Sequence, residues 1–190
     1  NEQKQNDIND DLNMNNNFPF YTIGIDYGTN SVRAIIVNCK NGQIISSSVF
    51  SYPHGENGII VSDDPNVSRQ HPRDYIDGLE NTISKALKDA AIDNEFVRGI
   101  GIDATASTPI PLSKDGDALA FDSRFNNRLS ALAWLWKDHT SFKEAAEITD
   151  YAQKLRPEYL VACGGAYSSE WFWSKVLNCL RNDSEVFEAA

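Results

Sequence analysis

Residues 24–33, GIDYGTNSVR, put a carboxylate (Asp26), a glycine (Gly28), two hydroxyls (Thr29, Ser31), a carboxamide (Asn30) and a guanidinium (Arg33) into one short turn. Glycine permits the positive φ that a tight turn needs. Successive backbone N–H groups in such a turn form a concave anion site, and hydroxyls add donors to it. Asp26 does not attract an anion by itself; its natural partner is Mg²⁺, or the water shell of that ion, carried in on a polyphosphate. The same residues also describe an ordinary hairpin turn with a solvated aspartate, and the turn alone leaves both open. A second concentration of small and hydroxylated residues follows at 103–109, DATASTP. It suits a loop that a ligand approaches closely, or a polar turn between strands.

The flanking segments must hold these groups in place. Residues 21–25 and 32–38 are β-branched runs that read as buried strands on either side of the turn. Asn41 and Gly42 form a hairpin signal, and residues 43–52 continue as a third strand. Residues 53–70 read as a polar connection. Pro72 and Asp74 favour a helix start, and Ile76, Leu79, Ile83, Leu87 and Ala90 give an apolar face across 74–91. Gly78 costs that helix some propensity without overturning the pattern. Residues 97–103 read as a fourth strand. Three antiparallel strands, a helix and a strand is the order of a ribonuclease-H-like α/β core, with the fourth strand parallel to the first through a right-handed crossover. Asp26 and Asp103 then stand at the carboxyl ends of neighbouring parallel strands, where open α/β sheets place ligands.

Downstream, residues 110–121 look like a short hairpin around a turn at Gly116. Residues 131–136 form an apolar run that reads as another buried strand, ending in Lys137, Asp138 and His139. A helix is predicted over 140–151, with Ser141 and Glu144 at capping-box spacing. A last helix is capped by Ser168 or Ser169 and buries Phe172 or Trp173, Val176, Leu177 and Leu180; Lys175 reads on general grounds as a solvated helix lysine. The predicted fold class is therefore α/β, with a mixed sheet of three antiparallel strands followed by helix-connected parallel strands.

A net charge of −10 over 190 residues argues against a nucleic-acid or anionic-membrane partner. Backbone donors and Mg²⁺ can still make a local phosphate site. Cys39, Cys163 and Cys179 are odd in number and widely spaced, which suggests neither zinc nor a disulfide framework and makes a reducing cytoplasm the expectation. No apolar run is long enough to span a bilayer. Residues 1–20 are rich in Asn, Asp and Gln and read as a disordered leader.

Taken together, residues 24–33, 71–76 (HPRDYI), 101–109, 135–140 (LWKDHT) and 164–175 (GGAYSSEWFWSK) resemble the FGGY carbohydrate kinases of the actin/Hsp70/sugar-kinase superfamily. The first motif is superfamily-wide; the last two narrow the resemblance to the ribulokinase branch. The resemblance covers residues 21–190 and implies transfer of the γ-phosphoryl of ATP, with Mg²⁺, to the 5-hydroxyl of L-ribulose, in a cleft between two ribonuclease-H-like domains. It implies Asp26, Gly28, Thr29, Asn30, Ser31 and Arg33 on the phosphate side, with Asp26 facing the metal through water. It implies Asp103, Thr105, Ala106, Ser107, Lys137, Asp138 and Lys175 on the sugar side. Tyr27 and Asn30 are modest departures from the family's turn. The family's base is an aspartate of the second domain, which also supplies most of the adenosine pocket. Residues 21–190 are thus expected to be a truncated N-terminal domain, inactive alone and carrying exposed apolar surface; a homo-oligomeric state is open for the full-length form. The alternatives are a kinase for another pentulose or pentitol, and a non-enzymatic, nucleotide-dependent sugar-binding member of the superfamily.

Overall fold

The computed structural model of the chain describes residues 19–190; the expected leader lies outside them apart from its last two positions. Strands β1 (Tyr21–Tyr27), β2 (Ser31–Asn38) and β3 (Ile44–Ser51) form an antiparallel meander. Alternation does the work: Ile23, Ile25, Val32, Ala34 and Ile36 all bury one face of the sheet. The β2–β3 turn closes through Gly42 at φ 72°, and the Asn38 N–H donates to the Gln43 carbonyl at 2.9 Å.

Helix α1 (Pro72–Ala90) lies across that face, against β2 and β3. His71 caps it, its ring accepting from the Arg73 N–H. The stripe nearest the sheet is Asp74, Gly78, Thr82 and Ala86, every fourth residue and all short, with Tyr75, Leu79, Ile83 and Leu87 packed beside it. Ile76, expected on the apolar face, points to solvent, because the helix is rotated to bring these small residues down. Gly78 is part of that choice: a Cβ there would meet Val32 Cγ1 at 2.4 Å. It is a close-approach position and not a tolerated flaw.

Strand β5 (Val97–Ala104) returns parallel to β1, giving the order β3-β2-β1-β5 and the register Asp26↔Asp103. The predicted topology holds. β5 is nevertheless open to solvent, with Ile100 57% and Ile102 66% exposed.

The rest of the described chain packs beside this sheet around a two-stranded ladder of β4 (Arg69–Gln70) and β6 (Ala133–Trp134). Here the sequence expectations need correction. The run 131–136 is buried at all positions but Trp136, yet only two of its residues pair as a strand, because β4 offers only two partners. The supposed polar connection 53–70 contains the buried pair Arg69 and Gln70. Only Leu112 and Ala118 bridge in the expected 110–121 hairpin; Leu119–Phe121 coil into a 3₁₀ turn. Helix α2 (Phe142–Leu155) follows Ser141, but the capping box does not form: the Ser141 hydroxyl donates instead to the Ser169 carbonyl at 2.9 Å. After α3 (Pro157–Ala162), helix α4 (Phe172–Asn182) turns Ser174, Lys175 and Cys179 inward, leaves Val176 and Leu177 half-buried, and exposes Phe172, Trp173 and Leu180, which were predicted on its buried side. Helix α5 (Ser184–Ala189) packs on α4. No helix among the described residues is long and apolar enough to cross a membrane.

Candidate active site

The β1–β2 turn is strapped to its surroundings on several sides. The Gly28 N–H donates to the Ser31 carbonyl at 2.9 Å. Trp136 Nε1 donates to the Thr29 hydroxyl at 3.1 Å, and Asn30 Nδ2 donates to the Asn57 carbonyl at 2.6 Å. Asp26 and Arg33 face each other in register, with Arg33 Nη1 3.6 Å from Asp26 Oδ2, and both side chains are at least half exposed. Such an exposed pair is weakly held. Arg33 tempers the negative charge beside the turn while leaving the Asp26 carboxylate accessible.

The β5 loop lies next to it. The Thr105 N–H donates to the Tyr27 carbonyl at 3.2 Å, which ties the two loops together. Asp103 Oδ1 accepts from the Ala104 N–H at 3.0 Å, and the Thr105 and Thr108 hydroxyls are 3.2 Å apart. Ala106 is exposed at the tip, and Ser107 takes a left-handed φ of 57°. A cleft of about 250 Å³ opens between the loops, lined by Tyr27, Gly28, Tyr75, Ala104, Thr105 and Thr108. Burial pushes the Tyr27 and Tyr75 phenols up, so both stay neutral and act as hydrogen-bonding groups.

Two residues predicted for the sugar side do not reach solvent. Asp138 is 0% exposed. It pairs with the buried Arg69 guanidinium, accepts from the Ser68 N–H at 2.7 Å and from the Thr140 hydroxyl at 2.6 Å. Arg69 in turn lies 3.6 Å over the Trp134 ring. Lys175 is 1% exposed, not solvated. Its ammonium donates to the carbonyls of Ser107 at 2.7 Å, Leu135 at 2.8 Å and Trp134 at 3.4 Å. Burial, reinforced by the Arg69 charge, pushes its pKa down to about 8. Lys137 is half-buried and takes part in no ion pair among the described residues. The structure thus brings the turn and the 103–108 loop together, holds the loop at Ser107 through Lys175, and buries Asp138 against Arg69, the residue before Gln70.

Gln70 and Trp136, which grip the turn directly, were not singled out from the sequence. Trp136 sat in an apolar run and read as core, and nothing local marks Gln70. Among the described residues no cluster of three or more His, Cys, Asp or Glu could hold a metal. One accessible carboxylate beside backbone donors suits a hydrated Mg²⁺ arriving on a polyphosphate, since that ion keeps several waters.

The fold agrees with the comparisons. The chain belongs to the FGGY family of carbohydrate kinases: the model of the family's N-terminal domain matches residues 21–168. Among its curated relatives, the ribulokinase of Shouchella clausii is 41% identical over 175 residues, covering 90% of this chain and 31% of the relative. The ribulokinase of Vibrio parahaemolyticus is 38% identical over 174 residues, covering 90% and 30%. The chain therefore spans about a third of the length of the curated relatives it matches. Among solved structures, a xylulose kinase from Rhodospirillum rubrum superposes with a TM-score of 0.68 at 18% identity, over 89% of this chain and 30% of that one. A gluconate kinase from Lactobacillus acidophilus gives 0.67 at 19%, over 91% and 30%. At such identities the likeness is one of fold.

Proposed function

We propose that this chain is the phosphate- and sugar-side domain of an ATP-dependent kinase acting on the 5-hydroxyl of L-ribulose. The observation that supports it most is the juxtaposition, in register, of the Asp26 turn and the Asp103 loop at the carboxyl ends of β1 and β5, in a chain 41% identical to a ribulokinase. Phosphoryl transfer asks a protein mainly for positioning and charge neutralisation. Gly28 closes the turn through its N–H to the Ser31 carbonyl, Thr29, Asn30 and Ser31 present the phosphate-facing backbone, Arg33 adds positive charge, and Asp26 orients Mg²⁺ through water. Asp103, Thr105, Ala106, Ser107 and Lys137 face the sugar. Lys175 holds that wall at Ser107, and Asp138 is buried against Arg69; a sugar hydroxyl would contact Lys175 only by replacing one of its three carbonyls. The base that takes the hydroxyl proton, and most of the adenosine pocket, belong to a second domain of the kind the family carries.

Two measurements on the 190-residue chain test this. ADP release with ATP, Mg²⁺ and L-ribulose is expected at background, and turnover well above it would refute the need for a second domain. Saturation-transfer NMR is expected to detect L-ribulose, with D-xylulose and glycerol weaker. Equal binding of glycerol would refute the substrate assignment.

A further inference from the structure

Gln70 is 1% exposed and every polar atom of its side chain is engaged. Its Nε2 donates to the Thr29 carbonyl at 2.7 Å and to the Gly58 carbonyl at 3.1 Å, and its Oε1 accepts from the Tyr75 hydroxyl at 2.7 Å. The orientation is chemically determined: a flipped amide would set an oxygen against two carbonyls. In a planar trans peptide the C=O and the following N–H point in opposite directions. Gln70 pulls the Thr29 carbonyl into the protein, so the Asn30 N–H turns away from it. The Asn30 carbonyl accepts from the Tyr52 N–H at 3.0 Å, so the Ser31 N–H turns away from β3. Successive N–H groups fixed in this way are what an anion-binding backbone concavity consists of.

We propose that Gln70 is a positioning residue for the turn, aiming the Asn30 N–H at a bound phosphate by holding the Thr29 carbonyl down. The Tyr75 hydroxyl orients Gln70 in turn, so a residue of α1 reaches the turn through two hydrogen bonds. This rests on the phosphate role given to the turn above.

The test uses the ¹⁵N-labelled 190-residue chain, titrated with inorganic tripolyphosphate and Mg²⁺ well below its unfolding midpoint. In the unmodified chain the Asn30 and Ser31 amides are expected to shift. In Gln70→Leu the dissociation constant is expected to rise about tenfold or more, as for a lost bond to a charged ligand. Tyr75→Phe, which keeps both Gln70 donors, is expected to fall between the two. A merely structural Gln70 would lower the unfolding midpoint and leave affinity unchanged, and that result overturns the proposal. If the unmodified chain binds no tripolyphosphate, the phosphate role of the turn fails instead. The ligand-free order parameter of the Asn30 amide then decides the strap: a fall below about 0.6 in Gln70→Leu supports it and an unchanged value overturns it. Should Gln70→Leu not fold, Tyr75→Phe carries both readouts with the same signs.

Discussion

Gly78→Ala sets two effects of opposite sign against each other at one atom. In an exposed helix interior alanine is better than glycine by about 1 kcal/mol. At Gly78 the added carbon would lie 2.4 Å from Val32 Cγ1 and 3.1 Å from Phe50 Cδ1, where carbon atoms prefer about 3.5–4.0 Å. Val32 is 0% exposed, and β2 is paired on both sides, so the strand cannot retreat without carrying the ladder with it. The helix must rise by roughly 1 Å, forfeiting contacts along Thr82 and Ala86. With the contact at 2.4 Å and no room for the strand to give, the cost falls in the upper half of the roughly 1–3 kcal/mol typical of overpacking, about 2–3 kcal/mol, which exceeds the propensity gain and leaves a net loss of about 1–2 kcal/mol. With an m-value near 2 kcal/mol/M, the urea midpoint should fall by about 0.5–1 M. Far-UV circular dichroism in urea at 25 °C reads this directly. A midpoint equal to that of the unmodified chain, or higher, would show that α1 does not sit on β2 as closely as described.

Two further substitutions examine the buried charges of Asp138 and Lys175. Asp138→Asn leaves the Arg69 charge buried without its counter-ion and is expected to cost about 3–5 kcal/mol in urea unfolding; replacing both partners, Arg69→Met with Asp138→Leu, should recover most of that, and a loss below about 1 kcal/mol in the single variant would refute the pairing. Lys175 has a folded-state pKa lowered to about 8, so between pH 8 and its ordinary value the unfolded chain holds the extra proton and stability rises with pH. The unmodified chain should therefore gain on Lys175→Met across pH 8–10, by at most about 1.4 kcal/mol per pH unit, the slope for one proton. Tyrosine titrations are common to both chains and cancel. Parallel pH profiles would show that the ammonium is not buried as described.

The elements legible in the sequence were those whose side chains follow a local period. β1 and β2 are β-branched runs, β3 follows the hairpin signal at Asn41 and Gly42, α1 repeats every three to four residues, and the order of these elements alone placed Asp103 beside Asp26. What escaped was decided by partners distant in sequence. Lys175 looks like any helix lysine until three carbonyls from residues 107, 134 and 135 close around it. Asp138 reads as a strand-end ligand until Arg69 arrives from the other strand of the small ladder. Ser141 had the spacing of a cap but spent its hydroxyl on Ser169. Gln70 has no local signature, since its role comes from the carbonyls of Thr29 and Gly58. Backbone acceptors leave no mark on composition or spacing, which is why the adjacency of the turn and the loop could be read and the residues that hold them could not.

The cage around Lys175 also makes that amine a clock. All three of its protons are given to carbonyls within the protein, so an acylating reagent can reach it only while α4 lifts from the loop at Ser107. Lys85 and Lys88, exposed on α1, react without any opening and calibrate the reagent. The ratio of labelling at Lys175 to labelling at those two, followed by peptide mass spectrometry, counts how often the loop at Ser107 comes free.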